Sequence, residues 1–485
     1  MIKQKKKCQL VLKIKRWRGL RAILLLSFLF FVLSNTNSDS KPADKNSPTS
    51  NLSGIQMSHN PGIYSSSIDF KLTLDGSVKA EIFLINKNGT QKQGTHFLIS
   101  EPSVVKIIYK DKKGISQKFI GNYIVNKKHF LPVVALYVNS EEFFPPTGIY
   151  DGTVSKDALG EIATVGKAWD KQPIPGYAQF FFNGKLSDEL DLDVKTYGGM
   201  TLGWKEKSLQ LSARKEKYGT GKINVKLFKN LPFREYQHVV LRTSGNDQNK
   251  TRLKDLSLSK VAQEINLNVK AYRQVVVYIN GQYWGIHNLR EKINDDYFKY
   301  RYNWEKDSFI QIQGSGLNNQ SYQEVVTYAK NSFSHADFVQ KINEKIDVEN
   351  YFNFNIFQTY ISNVDYRGNV RFFKPKNGKW KWIVYDTDLA CGNDFNSRNF
   401  IQDRTLPKGQ YWYNPSWSTS LLNSLLKNNE LRGQFINQYC YLLSSYLTPE
   451  NFDAKIDESV KEIEPELSTH FLRRNHIYKE TSSSW

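Results

Sequence analysis

Four oxygen-bearing side chains, Asp365, Asn369, Asp386 and Asp388, stand close together in the chain. A divalent cation takes hard oxygen ligands, and a further carboxylate beside them can orient a hydroxyl and take its proton. Metal-assisted phosphoryl transfer needs this set: a cation against the triphosphate and an acid behind the attacking hydroxyl. Asp386 and Asp388 are two residues apart, so in an extended chain their side chains share a face.

The elements that must position these groups are legible around them. Asp347 is a suitable N-cap, and Phe352, Ile356 and Tyr360 recur at four-residue spacing, which predicts an amphipathic helix ending at Ser362-Asn363. A polar loop then carries Asp365 and Asn369. A hairpin follows, with strands over 370–374 and 380–385 joined by a turn at Asn377-Gly378, and it delivers Asp386 and Asp388 just past its end. Helix, acid-plus-amide loop, hairpin and metal-binding acid is the order of parts that protein kinases use.

Upstream, Gly198, Gly199 and Gly203 lie in a turn between two predicted strands, and Lys207 begins the second. Glycine amides can approach phosphate oxygens closely, and a neighbouring lysine supplies a compact positive charge. A strand ending in Leu241-Arg-Thr-Ser-Gly-Asn-Asp, a helix over 251–265 and a hairpin over 273–290 around Asn280-Gly281 come next. This is the order of a kinase small lobe. Asp255 on the helix is expected either to pair with Lys207 and hold it toward phosphates, or to form a surface i, i+3 pair with Arg252. Helices are predicted over 420–426, 430–447 and 451–467 as a supporting bundle.

The chain has 485 residues, enough for two or three domains, and a formal charge of +20. Nine positive charges fall in the first 21 residues, and setting that segment aside takes the charge from +20 to +11. No basic stripe or nucleic-acid motif accompanies the surplus, so nucleic-acid binding is not expected. An apolar run over 22–33 follows the basic start. It is short for a membrane span and suits a signal-peptide core, giving a signal peptide or uncleaved anchor over 1–34. Residues 35–54 read as a disordered linker, and membrane contact is expected only through the N-terminal segment. Cys391 and Cys440 are the two cysteines beyond the apolar run, too few for a disulfide scaffold. Alternating apolar residues between turn signals predict a small all-β sandwich domain over 55–127, immunoglobulin-like in size and serving as a spacer or adhesion module.

The sequence resembles the spore-coat protein H (CotH) kinase-like family over about 130–470. The likeness is carried by Gly198-Gly199 with Lys207-Ser208, by Leu241-Arg-Thr-Ser-Gly-Asn-Asp, by Tyr278-Ile-Asn-Gly-Gln-Tyr-Trp-Gly with Leu289-Arg-Glu-Lys, by Asn363-Val-Asp-Tyr-Arg-Gly-Asn and by Trp380-Lys-Trp-Ile-Val-Tyr-Asp-Thr-Asp. The resemblance implies an α+β fold in which residues 128–485 form an atypical protein-kinase-like two-lobed domain behind the sandwich. It also implies ATP with Mg²⁺ or Mn²⁺ as cofactors, and Ser or Thr of an extracytoplasmic protein as acceptor. In those terms Lys207 and Asp365 are catalytic, and Gly198, Gly199, Lys207 and Asp255 bind the nucleotide. Asn369, Asp386 and Asp388 hold the metal. Relatives often read Gly-Asn-Asn where this chain has Gly368-Asn369-Val370, so Asn369 would have to act as the amide ligand. The competing expectation is a catalytically impaired surface adhesin or coat-assembly protein, secreted or cell-surface in either case. A third is sugar binding by the aromatic loop over 411–417.

Overall fold

The computed structural model describes residue 52 and residues 54–478, apart from 77, 87–88, 90, 111–113, 157–160, 393–398 and 406–414. The expected signal or anchor lies outside the described residues, as do nearly all of the expected linker and residues 411–414 of the aromatic loop. Among the described residues no helix is long and apolar enough to cross a membrane. Neither Cys391 nor Cys440 is in a disulfide.

Strict alternation of apolar and polar residues builds the first part. Along Ile68–Leu74, the side chains of Ile68, Phe70 and Leu72 point inward while their neighbours face solvent. That strand lies between Ile55–Met57 and His96–Ile99 in a three-stranded sheet. A second sheet runs Gly62–Ile63, Ser116–Ile124, Ser103–Lys110, Ala80–Asn86 and Gln91–Gln93. Phe70, Ile82, Val105, Ile107 and Tyr123 fill the core these sheets share.

The sandwich is fastened to the strands that succeed it in the chain. Ile85, Val104 and Ile120 pack with Tyr137 and Tyr177. Gln179 Oε1 accepts from Asn122 N at 2.8 Å and from Asn122 Nδ2 at 3.0 Å, both buried. Deleting residues through 125 would bare these groups, so we expect the truncated chain to melt lower, on the order of 5 °C or more. Among the described residues, none of the sandwich lines the cleft that holds Asp365, Asp386 and Asp388, so the truncation should leave nucleotide affinity unaltered. Differential scanning calorimetry with a nucleotide titration checks both points; an unchanged melting temperature would contradict the packing argument.

Seven strands then close into a barrel. They are β1 (Val133–Val138), β2 (Ile174–Phe182), β3 (Lys185–Tyr197), β4 (Ser208–Ser212), β5 (His238–Arg242), β7 (Tyr272–Ile279) and β8 (Gln282–Glu291), with β6 (Asn268–Val269) lying outside the barrel. The order is β1-β2-β3-β4-β5-β8-β7, and β7 pairs back onto β1 in parallel, leaving no open edge. The β7–β8 turn is Asn280-Gly281 with φ of 50° and 78°, the left-handed pair that a two-residue hairpin needs. Inward positions alternate, with Leu192 and Val194 on β3, Leu209 and Leu211 on β4, and Val239 and Leu241 on β5.

The remainder is mostly helical. Helix α1 (Lys254–Glu264) and helix α2 (Val348–Tyr360) pack in one core with a four-stranded sheet of order β6-β11-β10-β9. Here β9 is Phe309–Gln313, β10 Arg371–Pro375 and β11 Lys381–Val384. Asp347 caps α2, its Oδ1 accepting from Asn350 N at 3.0 Å. The expectation that α2 is amphipathic is corrected, because its polar face is buried too. Asn350 Oδ1 accepts from Trp382 N at 2.6 Å and Asn353 Nδ2 donates to Ile265 O at 3.1 Å, so these amides bind backbone rather than water. The C-terminal helix Leu467–Tyr478 is pinned to the barrel region through buried Glu206, which accepts from Arg252, Arg473 and Arg474. The whole is a mixed α+β fold.

Candidate active site

The polar edge of the barrel and the loops after α2 and β11 enclose a cleft of about 760 Å³. Side-chain alternation on the barrel decides what faces it. On β3, Val194 points inward, so Lys195 and Tyr197 face the cleft; on β4, Ser208 and Gln210 do so. Gly198 and Gly199 form the lip. A Cβ at Gly199 would meet nothing within 4 Å, so backbone is open there to a ligand. Lys270, Lys292 and Arg371 add positive charge.

Asp365, Asn369, Asp386 and Asp388 line the same cleft from the other side. Asp365 stands at the start of a single helical turn, α3 (Tyr366–Asn369), where its amide donates to Asn363 Oδ1 at 3.1 Å. Its Oδ2 accepts from Asn369 Nδ2 at 2.8 Å. Burial and the neighbouring charge of Asp386 push its carboxyl up to about 6. Val370, in contrast, is buried in the helical core with Phe372 and Trp382. A change at that position therefore removes nothing from the cleft, and Asn369 is the amide that faces it.

Asp386, Asp388 and Asp255 bring carboxylate oxygens within 4.8 Å of one another. Three hard oxygen donors at that spacing fit Mg²⁺ or Mn²⁺, and Asp386 is the most open of the three. Arg242, at the end of β5, sits among them. Its Nη1 and Nη2 fork onto Asp388 at 3.0 and 2.6 Å, and Nη2 also donates to Asp386 at 2.7 Å. Burial drives the Asp388 carboxyl well above the usual range, with Asp386 and Asp255 adding to the effect against Arg242.

Two sequence expectations are corrected here. Lys207 does not face the acids. It shares parity with Leu209 and Leu211, so its side chain turns away from the cleft, where Nζ donates to Trp204 O at 2.7 Å and lies 5.1 Å from the Tyr150 ring centroid. Asp255 pairs with neither Lys207 nor Arg252. It takes Arg290, and its Oδ1 accepts from Thr387 N and Oγ1 at 3.0 and 2.9 Å, while Arg252 goes to Glu206. The physical reason is that both cations lie on the side of the barrel facing Glu206 and Tyr150, away from the acid cluster.

Burial lowers Lys207 from 10.5 to about 8. The unfolded chain therefore holds this proton more tightly between those values, and stability rises with pH across that window. We expect Lys207→Met to abolish that rise in thermal melts between pH 8 and 10, while metal-nucleotide affinity stays within about threefold. A tenfold or larger loss of affinity would instead place Lys207 in the site.

Sequence reasoning missed a second group. Tyr385 lies between Lys270 Nζ, 4.0 Å from its ring centroid, and the Arg371 guanidinium carbon at 4.1 Å, and its hydroxyl meets that of Tyr197 at 2.8 Å. Burial would raise Tyr385, but the two cations hold it below the usual tyrosine range. Tyr385 immediately precedes Asp386, so its place beside the site was available from the sequence. Of its cationic partners, Arg371 opens the first strand of the same hairpin, while Lys270 comes from a distant part of the chain, just past β6, which pairs with β11.

Residues 194–485 match the family model described as CotH kinase protein. The chain belongs to the CotH kinase family. A search of curated proteins returned no match. The match begins within β3, so it takes in every cleft-lining residue but Lys171. Strands β1 and β2, which complete the barrel, lie ahead of it.

Proposed function

We propose that this CotH-family chain is a metal- and ATP-dependent protein kinase that transfers the γ-phosphoryl group to Ser or Thr of a protein outside the cytoplasm. The observation that carries this is the convergence of Asp365, Asp386 and Asp388 on one cleft that Gly199 and Lys195 line from the barrel and Lys270 lines from beside Tyr385. In the two-lobed comparison, the barrel takes the small-lobe position and the helical part the large-lobe position.

Asp386 and Asp388, with the Asn369 carbonyl oxygen, would hold the cation, which when bound neutralises charge on the β- and γ-phosphates. Lys195, Lys270 and Arg371 would orient the phosphates. Asp365 accepts the proton of the acceptor hydroxyl as its oxygen bonds to the γ-phosphorus and the bond to the β-phosphate oxygen breaks, releasing ADP. The basic start and apolar run over 1–34 support export, and the protein acceptor would lie at the cell surface or envelope.

One observation favours a non-catalytic surface role, adhesin or coat assembly: Arg242 pairs with both Asp386 and Asp388. Incubation with γ-labelled ATP and Mn²⁺ or Mg²⁺ separates the two. Transfer of label to the chain or to a generic basic protein, abolished in Asp386→Ala, is the expected result. No transfer with either metal, from a protein that melts cooperatively, supports the surface role.

A further inference from the structure

We infer that Arg242 is a resident counter-cation for the metal-binding acids, and that a divalent ion entering the cleft displaces its guanidinium from Asp386 and Asp388 onto the nucleotide phosphates. This rests on the kinase reading and assigns the phosphate-facing charge that Lys207 cannot supply.

The geometry points one way. The guanidinium occupies Asp386 Oδ2 and both oxygens of Asp388, the atoms a metal would need, and approaches Asp255 at 3.6 Å. Arg290 is already committed to Asp255. Three carboxylates against two guanidiniums leave one negative charge; a divalent ion added without movement would turn the cluster positive. In a buried setting that excess is costly, so the cation with an open path must leave. Asp255 is fixed by Thr387 and Arg290, and Asp388 keeps a bond from Asn246 N at 3.1 Å when Arg242 departs. Arg242 alone has somewhere to go, because it lines the cleft itself.

Gly245 is built for this arrangement. Its φ is +52°, and a Cβ there would fall 2.0 Å from Asp388 Oδ2 and 3.0 Å from Arg242 Nη2. Only glycine lets the backbone close over the pair. A guanidinium released here needs only side-chain rotation to reach phosphate oxygens, for which its planar fork is suited.

The test is Mn²⁺ binding to the full chain without nucleotide, read by the electron paramagnetic resonance signal of free Mn²⁺, followed by ATP titration at saturating Mn²⁺. Arg242→Gln is expected to bind Mn²⁺ about tenfold more tightly than the natural protein, and ATP about tenfold more weakly. Arg242→Lys keeps the charge but not the fork; it should hold Mn²⁺ affinity near that of the natural protein and recover part of the ATP affinity. If Arg242→Gln does not fold, the lysine variant decides: ATP affinity lowered with Mn²⁺ affinity kept supports the inference, and loss of both overturns it. Unchanged or weaker Mn²⁺ binding by folded Arg242→Gln overturns the displacement while leaving the kinase reading intact. Failure of every form to bind Mn²⁺ overturns both.

Discussion

Asp365→Asn is expected to slow phosphoryl transfer by about a hundred- to ten-thousandfold, the range for loss of a positioned base, while Mn²⁺–ATP affinity stays within about threefold. Asparagine has the same shape but cannot take the hydroxyl proton, and its amide would meet Asn369 Nδ2, which now donates to Asp365 Oδ2. The same carboxyl sets a pH dependence. Burial and Asp386 raise it to about 6, and the ionised form is the competent one, so the rate should fall as pH drops through that value. A metal on Asp386 removes the second cause, so the midpoint should move lower as Mg²⁺ is raised. Single-turnover rates between pH 5 and 8 at two Mg²⁺ concentrations check this; a midpoint indifferent to Mg²⁺ would separate Asp365 from the acid cluster.

Asp255→Ala is expected to cost about 3–5 kcal/mol of stability, the range for breaking a buried ion pair. Asp255 is buried against equally buried Arg290, and it ties α1 of the helical part to β8 of the barrel and to Thr387 in the acid loop. Removing the carboxylate strands Arg290 and frees the backbone of Thr387, between Asp386 and Asp388. The sign with pH is fixed by the charges. Burial alone would raise the Asp255 carboxyl, but Arg290 and Arg242 hold it well below the usual range. Its contribution is therefore present above about pH 4 and lost as pH falls toward the folded value. Denaturant melts should show the gap between natural and variant proteins shrinking below about pH 4; a gap that persists would mean packing, not charge, is what was lost.

Local spacing made much of this site legible. The hairpin that carries Asp386 and Asp388, the Asp347 cap and the Asn280-Gly281 turn all follow from short-range chemistry, and each is present. The acids converge because Asn363 joins the loop to the hairpin end, its Nδ2 donating to Asp386 O and its Oδ1 accepting from Asp365 N, both at 3.1 Å. The face presented by Lys207 was also available: it is two and four residues from Leu209 and Leu211, and a period-two strand sends all three the same way. The same parity, taken from Val239 and Leu241, puts Arg242 on the cleft side. Reading lysine as phosphate ligand by its place in the motif order overrode that alternation.

Other features were beyond local reading. Barrel closure depends on β1 meeting β7 in parallel across more than a hundred residues, and neither strand carries a mark of its partner. The choice of Arg290 for Asp255, and of Arg252 for Glu206, is set by which cations the closed barrel turns toward each acid. Val370 could be assigned to the core only once the strand it precedes was seen to lie between β9 and β11.

The most direct test of the central claim is a crystal structure with Mn²⁺ and a non-hydrolysable ATP analogue, using the anomalous signal to place the metal. The account predicts a Mn²⁺ peak about 2.0–2.3 Å from carboxylate oxygens of Asp386 and Asp388, with the γ-phosphate toward Asp365 and Lys207 still bound to Trp204 O. Nucleotide seated elsewhere, or metal density without these two carboxylates, would contradict it.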